Sequence, residues 1–171
     1  RYWRDWSSDV CSSDLGRAEP WTDRDRALGW LAEALEQLGP RAHGYGVPLL
    51  LEPLNRYESN LLNTLAQAGQ LLETLRTRNV RLLADWFHMN IEETNLPGAI
   101  RAAGSAIGHV HFADSNRLAV GCGHTDAAAA VAALREIGYQ GYLSAEILPK
   151  PDPEDAARLT MDAYRGLFPN S

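Results

Sequence analysis

Val80-Arg81-Leu82-Leu83-Ala84-Asp85 is a short apolar run closed by a carboxylate, and the same phrase recurs three more times in the 171-residue chain. Val47–Leu51 ends in Glu52-Pro53, Ile107–Phe112 contains His111, and Tyr142–Ile147 contains Glu146. Runs this short and this apolar read as strands covered on both faces. Helical signals lie between them. Thr22 and Asp23 can cap a helix whose stripe is Leu28, Leu31, Leu35 and Leu38, and Gly39-Pro40 predicts an interruption in it. Thr64–Arg76 predicts a helix burying Leu65, Leu72 and Leu75. Asn95-Leu96-Pro97 opens another, with Pro97 near its first position. Asp126–Ile137 is an Ala-rich helix stopped by Gly138, and Asp152-Pro153 starts a last helix running to about Leu167. One helix followed by four strand–helix units is an α/β fold with a parallel sheet and right-handed crossovers.

The first 16 residues stand outside this rhythm. Arg1–Gly16 carries Ser-Ser-Asp at 7–9 and again at 12–14, with no helical or strand period and no capping logic. We expect this segment to be non-native or disordered, so the domain is expected to span residues 17–171.

Each apolar run carries a potential metal ligand at or near its C-terminal end: Glu52, Asp85, His111 and Glu146, separated by 33, 26 and 35 residues. In βα barrels the strand C-termini converge on one face, and that face holds the active site. A lone Glu after a strand is ordinarily a solvated loop residue, and a lone His in His109-Val110-His111 is ordinarily a hydrogen-bonded core group. Four such residues at the same topological place point instead to a shared cation, which would neutralise carboxylates that are expensive to bury unpaired. Three oxygen donors and one imidazole suit Mn²⁺, Mg²⁺ or Co²⁺. His109 shares a strand face with His111 and is expected to pack deeper or to support it. His43 and His124 gain nothing from spacing.

Composition narrows the classes. A net charge of −6 argues against nucleic acid as the main partner. The sequence has no run of 18 apolar residues, so no membrane span is expected. Cys11 and Cys122 make no disulfide framework, which leaves a reducing cytoplasm as the expected compartment.

At the ligand positions the sequence resembles the ketose 3-epimerases of the D-tagatose/D-psicose type, within the sugar phosphate isomerase/epimerase, xylose-isomerase-like TIM barrel superfamily. The motifs are LEPLNRYE at Leu51–Glu58, DWFHMNIEE at Asp85–Glu93, HVHFADSNR at His109–Arg117 and YLSAEI at Tyr142–Ile147. The resemblance runs from about Trp21 to Phe168. It implies that Glu52, Asp85, His111 and Glu146 are metal ligands, that Glu52 and Glu146 are also the acid–base pair, and that Glu58, His88 and Arg117 contact the O1–O3 end of a sugar. It implies Mn²⁺ first among the candidate metals, a small-molecule sugar substrate, and a full-length parent that is a homo-oligomer. Trp86 stands where the family often has Thr, and Val120-Gly121-Cys122-Gly123-His124 departs from the family's Pro-Gly-x-Gly-His. A complete barrel needs about 250 residues. The expectation is therefore the C-terminal half of a (β/α)8 TIM barrel, with the N-terminal half missing.

Epimerisation at C3 of a ketose removes a proton beside a carbonyl and returns it to the opposite face. A cation can stabilise the enediolate, and two carboxylates can serve as base and acid. The expected roles are Glu146 as base and Glu52 as acid. An aldose–ketose or hydroxypyruvate-type isomerase would use the same donors between C1 and C2. A metal-dependent hydrolase of the apurinic endonuclease kind would need more ligands and a basic surface. A half barrel exposes sheet edges, so a truncated, non-catalytic, self-associating fragment is the remaining alternative.

Overall fold

A computed structural model describes residues 17–19 and 21–169. Arg1–Gly16, expected to be non-native or disordered, lies outside the described residues. The elements are α1 (Arg24–Gly44), β1 (Leu49–Leu51), α2 (Leu65–Thr74), β2 (Val80–Asp85), α3 (Trp86–Glu92), α4 (Leu96–Ala103), β3 (Ile107–His111), α5 (Ala127–Glu136), β4 (Leu143–Ser144) and α6 (Pro153–Leu167). The four strands form one parallel sheet in the order β1-β2-β3-β4. This is the α/β, strand–helix arrangement expected from the sequence.

Short polar side chains start the helices. Asp23, Thr64, Asn95, Asp126 and Asp152 each accept a hydrogen bond from the backbone N–H three residues on, satisfying a donor the helix itself cannot. Pro97 and Pro153 sit in first turns, where a missing N–H costs nothing. Gly138, at φ 66°, follows α5 in the left-handed region that glycine tolerates.

Three expectations need correction. Gly39-Pro40 does not interrupt the first helix, which continues to Gly44. Pro40 lies in its last turns, and Gly39 is held in place: its carbonyl accepts from Asn79 Nδ2 at 3.0 Å, and a Cβ there would meet Thr77 Oγ1 at 2.6 Å. The last strand is shorter than Tyr142–Ile147, because β4 pairs with β3 alone and keeps only Leu143 and Ser144. Finally, an additional helix, α3, follows Asp85 directly.

The sheet separates two environments. Leu82, Ala84 and Val110 are fully buried and belong to the core that also takes Leu31 and Leu35 of α1, Leu65 and Ala68 of α2, Ile100 of α4 and Val131 of α5. Burying a leucine such as Leu82 contributes roughly 1.5–3 kcal/mol. By the two-residue alternation of strands, Asp85, His109 and His111 face the other side. Register makes Leu83 the partner of His109 and Asp85 the partner of His111. Trp86 turns back into the core and packs on Phe112 with ring centroids 5.2 Å apart, so this departure from the family motif is a packing residue.

Candidate metal and acid–base site

The ends of the strands bring Glu52, Asp85, His111 and Glu146 together. One ligand atom from each lies within 4.8 Å of all the others. His111 Nδ1 is 3.1 Å from Asp85 Oδ2, 3.2 Å from Glu146 Oε2 and 3.6 Å from Glu52 Oε1. Glu52, Asp85 and His111 are buried, whereas Glu146 lies two residues beyond β4 and is partly open.

Asp85 divides its carboxylate. Oδ1 accepts from the N–H groups of Phe87 at 2.8 Å and His88 at 3.4 Å, capping α3, while Oδ2 faces His111. The capping bonds fix the rotamer that aims Oδ2 at the cluster. Glu52 Oε1 is buried without a hydrogen-bond partner. A buried oxygen left in this state is costly, and a cation would satisfy it.

The electrostatics describe three carboxylates gathered on one imidazole. Burial pulls the His111 pKa down, but the Asp85, Glu146 and Glu52 carboxylates gathered around Nδ1 carry it up to about 12. Burial lifts Glu52 to about 7, against the opposing pull of His111. Asp85 is pushed up by burial yet ends below its ordinary value, held by His111, His88 and Arg117. Glu146 is lowered by its hydrogen bond with His111 and by the Arg117 charge. A divalent cation fits this donor set: it would take the place of the shared proton and meet the orphaned Glu52 oxygen.

The other expected site residues border the same cluster. His88, in α3 and fully buried, has Nε2 3.7 Å from Glu52 Oε1 and 3.9 Å from Asp85 Oδ2. Arg117 donates from Nη2 to Glu146 Oε2 at 2.7 Å, and its Nη1 stands 3.4 Å from His88 Nε2. Its guanidinium also lies over the Phe87 ring, 4.7 Å from the centroid. Glu58 Oε1 is 3.8 Å from His88 Nδ1. His109 contacts Ser144 Oγ through Nε2 at 2.7 Å and meets the His111 ring edge-on, which is a supporting position.

Two residues that shape this surround are not readable as such from sequence. Asp114 is buried and accepts four backbone N–H groups, from Ser115, Gly121, Gly123 and Thr125, at 2.7–3.0 Å. Burial works against it, but these bonds bring its pKa down to about 2. They tie together the loop that carries Arg117, whose φ is 58°. Asn55 is buried between Glu58 and His88 and bonds to both. Each lies in a quoted motif, but only as one polar residue among several.

Comparison with known proteins agrees with this architecture. A D-psicose 3-epimerase of Enterocloster bolteae is 43% identical over 119 residues, 70% of this chain and 38% of that protein. A 3-dehydro-D-guloside 4-epimerase of Escherichia coli is 38% identical over 137 residues, 80% of this chain and 52% of that protein. The chain therefore spans about half or less of the length of these relatives. A crystal structure of D-psicose 3-epimerase determined in the presence of D-fructose superimposes with a TM-score of 0.81 at 29% identity, covering 88% of this chain and 59% of that one. The family model for the xylose isomerase-like TIM barrel matches residues 15–167, and the chain belongs to that family.

Proposed function

We propose that this chain carries the metal-binding and acid–base centre of a divalent-cation-dependent sugar epimerase that inverts C3 of a ketose. The observation that carries the reading is the convergence of Glu52, Asp85, His111 and Glu146 within 4.8 Å. Relatives named as ketose epimerases support the substrate class. The net charge of −6 argues against nucleic acid as the substrate.

In this reading the four residues hold one cation, Mn²⁺ first, with Mg²⁺ or Co²⁺ as alternatives. Bound there, the cation supplies Lewis-acid polarisation of a substrate carbonyl. The chain's own groups move the proton. Glu146, with its pKa lowered by His111 and Arg117, is ionised at neutral pH and acts as the base. Glu52 takes the acid role on the opposite side; in the cation-free chain burial lifts it to about 7, which makes it the more readily protonated of the two. Two carboxyl groups pushed apart in this way suit opposite roles in one reaction. Arg117 and His88 meet negative charge developing on substrate oxygen, and Glu58 accepts from a substrate hydroxyl.

The test is deuterium exchange. With the full-length protein, Mn²⁺ and a ketose in D₂O, label should appear at C3, and Glu146→Gln should abolish that exchange while metal still binds. Label at C1 alone would identify an aldose–ketose isomerase instead. Label at C4 would match the Escherichia coli relative, whose name places its epimerisation there. The 171-residue chain alone is expected to bind metal without turning over sugar, because it spans about half of its relatives.

A further inference from the structure

We propose that Asn55 is a positioning residue that holds His88 in its Nε2–H tautomer, so that His88 and Arg117 present two N–H groups to one oxygen of the ligand. The identity of that ligand rests on the function proposed above; the tautomer does not.

The argument begins at His88 Nδ1. The backbone N–H of Asn55 points at it over 3.2 Å, and the Asn55 side-chain Nδ2 lies 2.8 Å away. A backbone amide can only donate, which favours a lone pair on Nδ1, and the nearer side-chain amide decides it if it too donates. The orientation of the Asn55 amide is fixed independently. Its Oδ1 accepts from Tyr57 N at 2.9 Å, and its Nδ2 donates to Glu58 Oε1 at 2.8 Å. Both donors that face Nδ1 are therefore secure. A neutral imidazole carries one ring proton, and with Nδ1 accepting it resides on Nε2.

Asn55 also intercepts a competitor. Glu58 Oε1 lies 3.8 Å from Nδ1 and would draw a proton onto that nitrogen. The Asn55 amide sits on both groups and occupies this carboxylate oxygen as well as the ring lone pair. Asn55 and His88 are each 1% exposed, so water does not take over either role.

The consequence appears at the other nitrogen. Arg117 Nη1 is 3.4 Å from Nε2, and a guanidinium has no lone pair to offer. The Nη1–H is directed at Nε2 over this long 3.4 Å, against two shorter donor contacts on Nδ1, so with Nε2 protonated Arg117 must turn this N–H aside toward another acceptor. The acceptors near them are Glu52 Oε1, 3.7 Å from Nε2, and Glu146 Oε2, bound by Arg117 Nη2, and a carbonyl or hydroxyl oxygen of a sugar placed between them would take both N–H groups. With the proton on Nδ1, Nε2 would accept from Arg117, and this corner of the site would lose a donor.

The test is ¹⁵N NMR of the histidine rings in the full 171-residue chain, in solution or in a magic-angle-spun sediment, near neutral pH with Mg²⁺ present. The His88 signals are identified by their loss in His88→Gln. The expected result is an unprotonated Nδ1 and a protonated Nε2 in the wild type. Asn55→Asp, which turns the nearer donor, at 2.8 Å, into a charged acceptor and leaves only the backbone N–H at 3.2 Å, should move the proton to Nδ1. A wild-type His88 with Nδ1 protonated overturns the proposal. So does an Asn55→Asp protein that keeps its other histidine signals and shows the wild-type pattern at His88. Because the readout needs no turnover, the expected tautomer together with an absence of ketose epimerisation in the full-length protein would leave this assignment standing and remove the proposed function.

Discussion

Asp85 and His111 are register partners on adjacent parallel strands, and their side chains meet at 3.1 Å between Oδ2 and Nδ1. The relationship follows from a sequence pattern: two apolar runs, each ending in a polar residue, placed side by side by parallel pairing. The other Asp85 oxygen caps α3, so one residue both starts a helix and aims an oxygen at His111.

That division of labour predicts a separation of effects in Asp85→Asn. Asparagine is a good N-cap and keeps an oxygen for the Phe87 N–H. The cation-free chain should keep α3 and fold, losing only the stability of the Asp85–His111 pair. Affinity for Mn²⁺ should fall by more than about 100-fold, beyond the loss typical of an outer partner. Calorimetric titration beside thermal unfolding of the same variant reads both quantities. Retained affinity would show that Oδ2 is not a ligand.

Metal binding should depend on pH through Glu52. Its pKa is lifted from 4.5 to about 7, so the folded, cation-free chain holds a proton that the unfolded chain has already released between those values. The stability this proton contributes is fully present below pH 4.5 and is lost as pH rises through about 7. A cation must displace the same proton, so the Glu52 contribution to affinity should grow as pH rises toward 7, while displacement of the His111 proton carries the rise on above it. Titration in buffers of different ionisation enthalpy should report proton release at pH 6, diminished in Glu52→Gln.

Asp114 makes a different kind of prediction. Asp114→Ala would leave four backbone N–H groups without their acceptor, at a cost of roughly 2–4 kcal/mol in urea unfolding. Gly123→Ala should be destabilising for a related reason, since its Cβ would press on the Asp114 carboxylate and on Ser115 Oγ. Because the Asp114 pKa is lowered from 3.8 to about 2, the stability it contributes is present above pH 3.8 and lost as pH falls through about 2. The wild type should therefore show an acid transition that Asp114→Ala lacks.

Much of the fold was legible because its signals are local. A short polar side chain before each amphipathic stretch marked the starts of α1, α2, α4, α5 and α6, and apolar runs marked the strands. The candidate site was legible because strand C-termini share one face, which turned distant residues into neighbours. What escaped depends on context. α3 was hidden because Trp86 and Met89 bury themselves from a segment too short to show a helical period. Pro40 was read as a break because the grip of Thr77 and Asn79 on Gly39 is a tertiary contact. β4 lost residues because an edge strand has one neighbour to pair with. Asn55 and Asp114 look like ordinary loop residues, since nothing local marks a polar side chain that buries itself among backbone N–H groups or against an imidazole.

The central claim is that four side chains hold one divalent cation. Titrating Mn²⁺ into the wild-type chain and into Glu52→Gln, Asp85→Asn, His111→Gln and Glu146→Gln, with free Mn²⁺ followed by electron paramagnetic resonance, tests it most directly. The account predicts one saturable site per wild-type chain, weakened in every variant. Wild-type chains that leave all Mn²⁺ free, or variants that bind as tightly as the wild type, would contradict it.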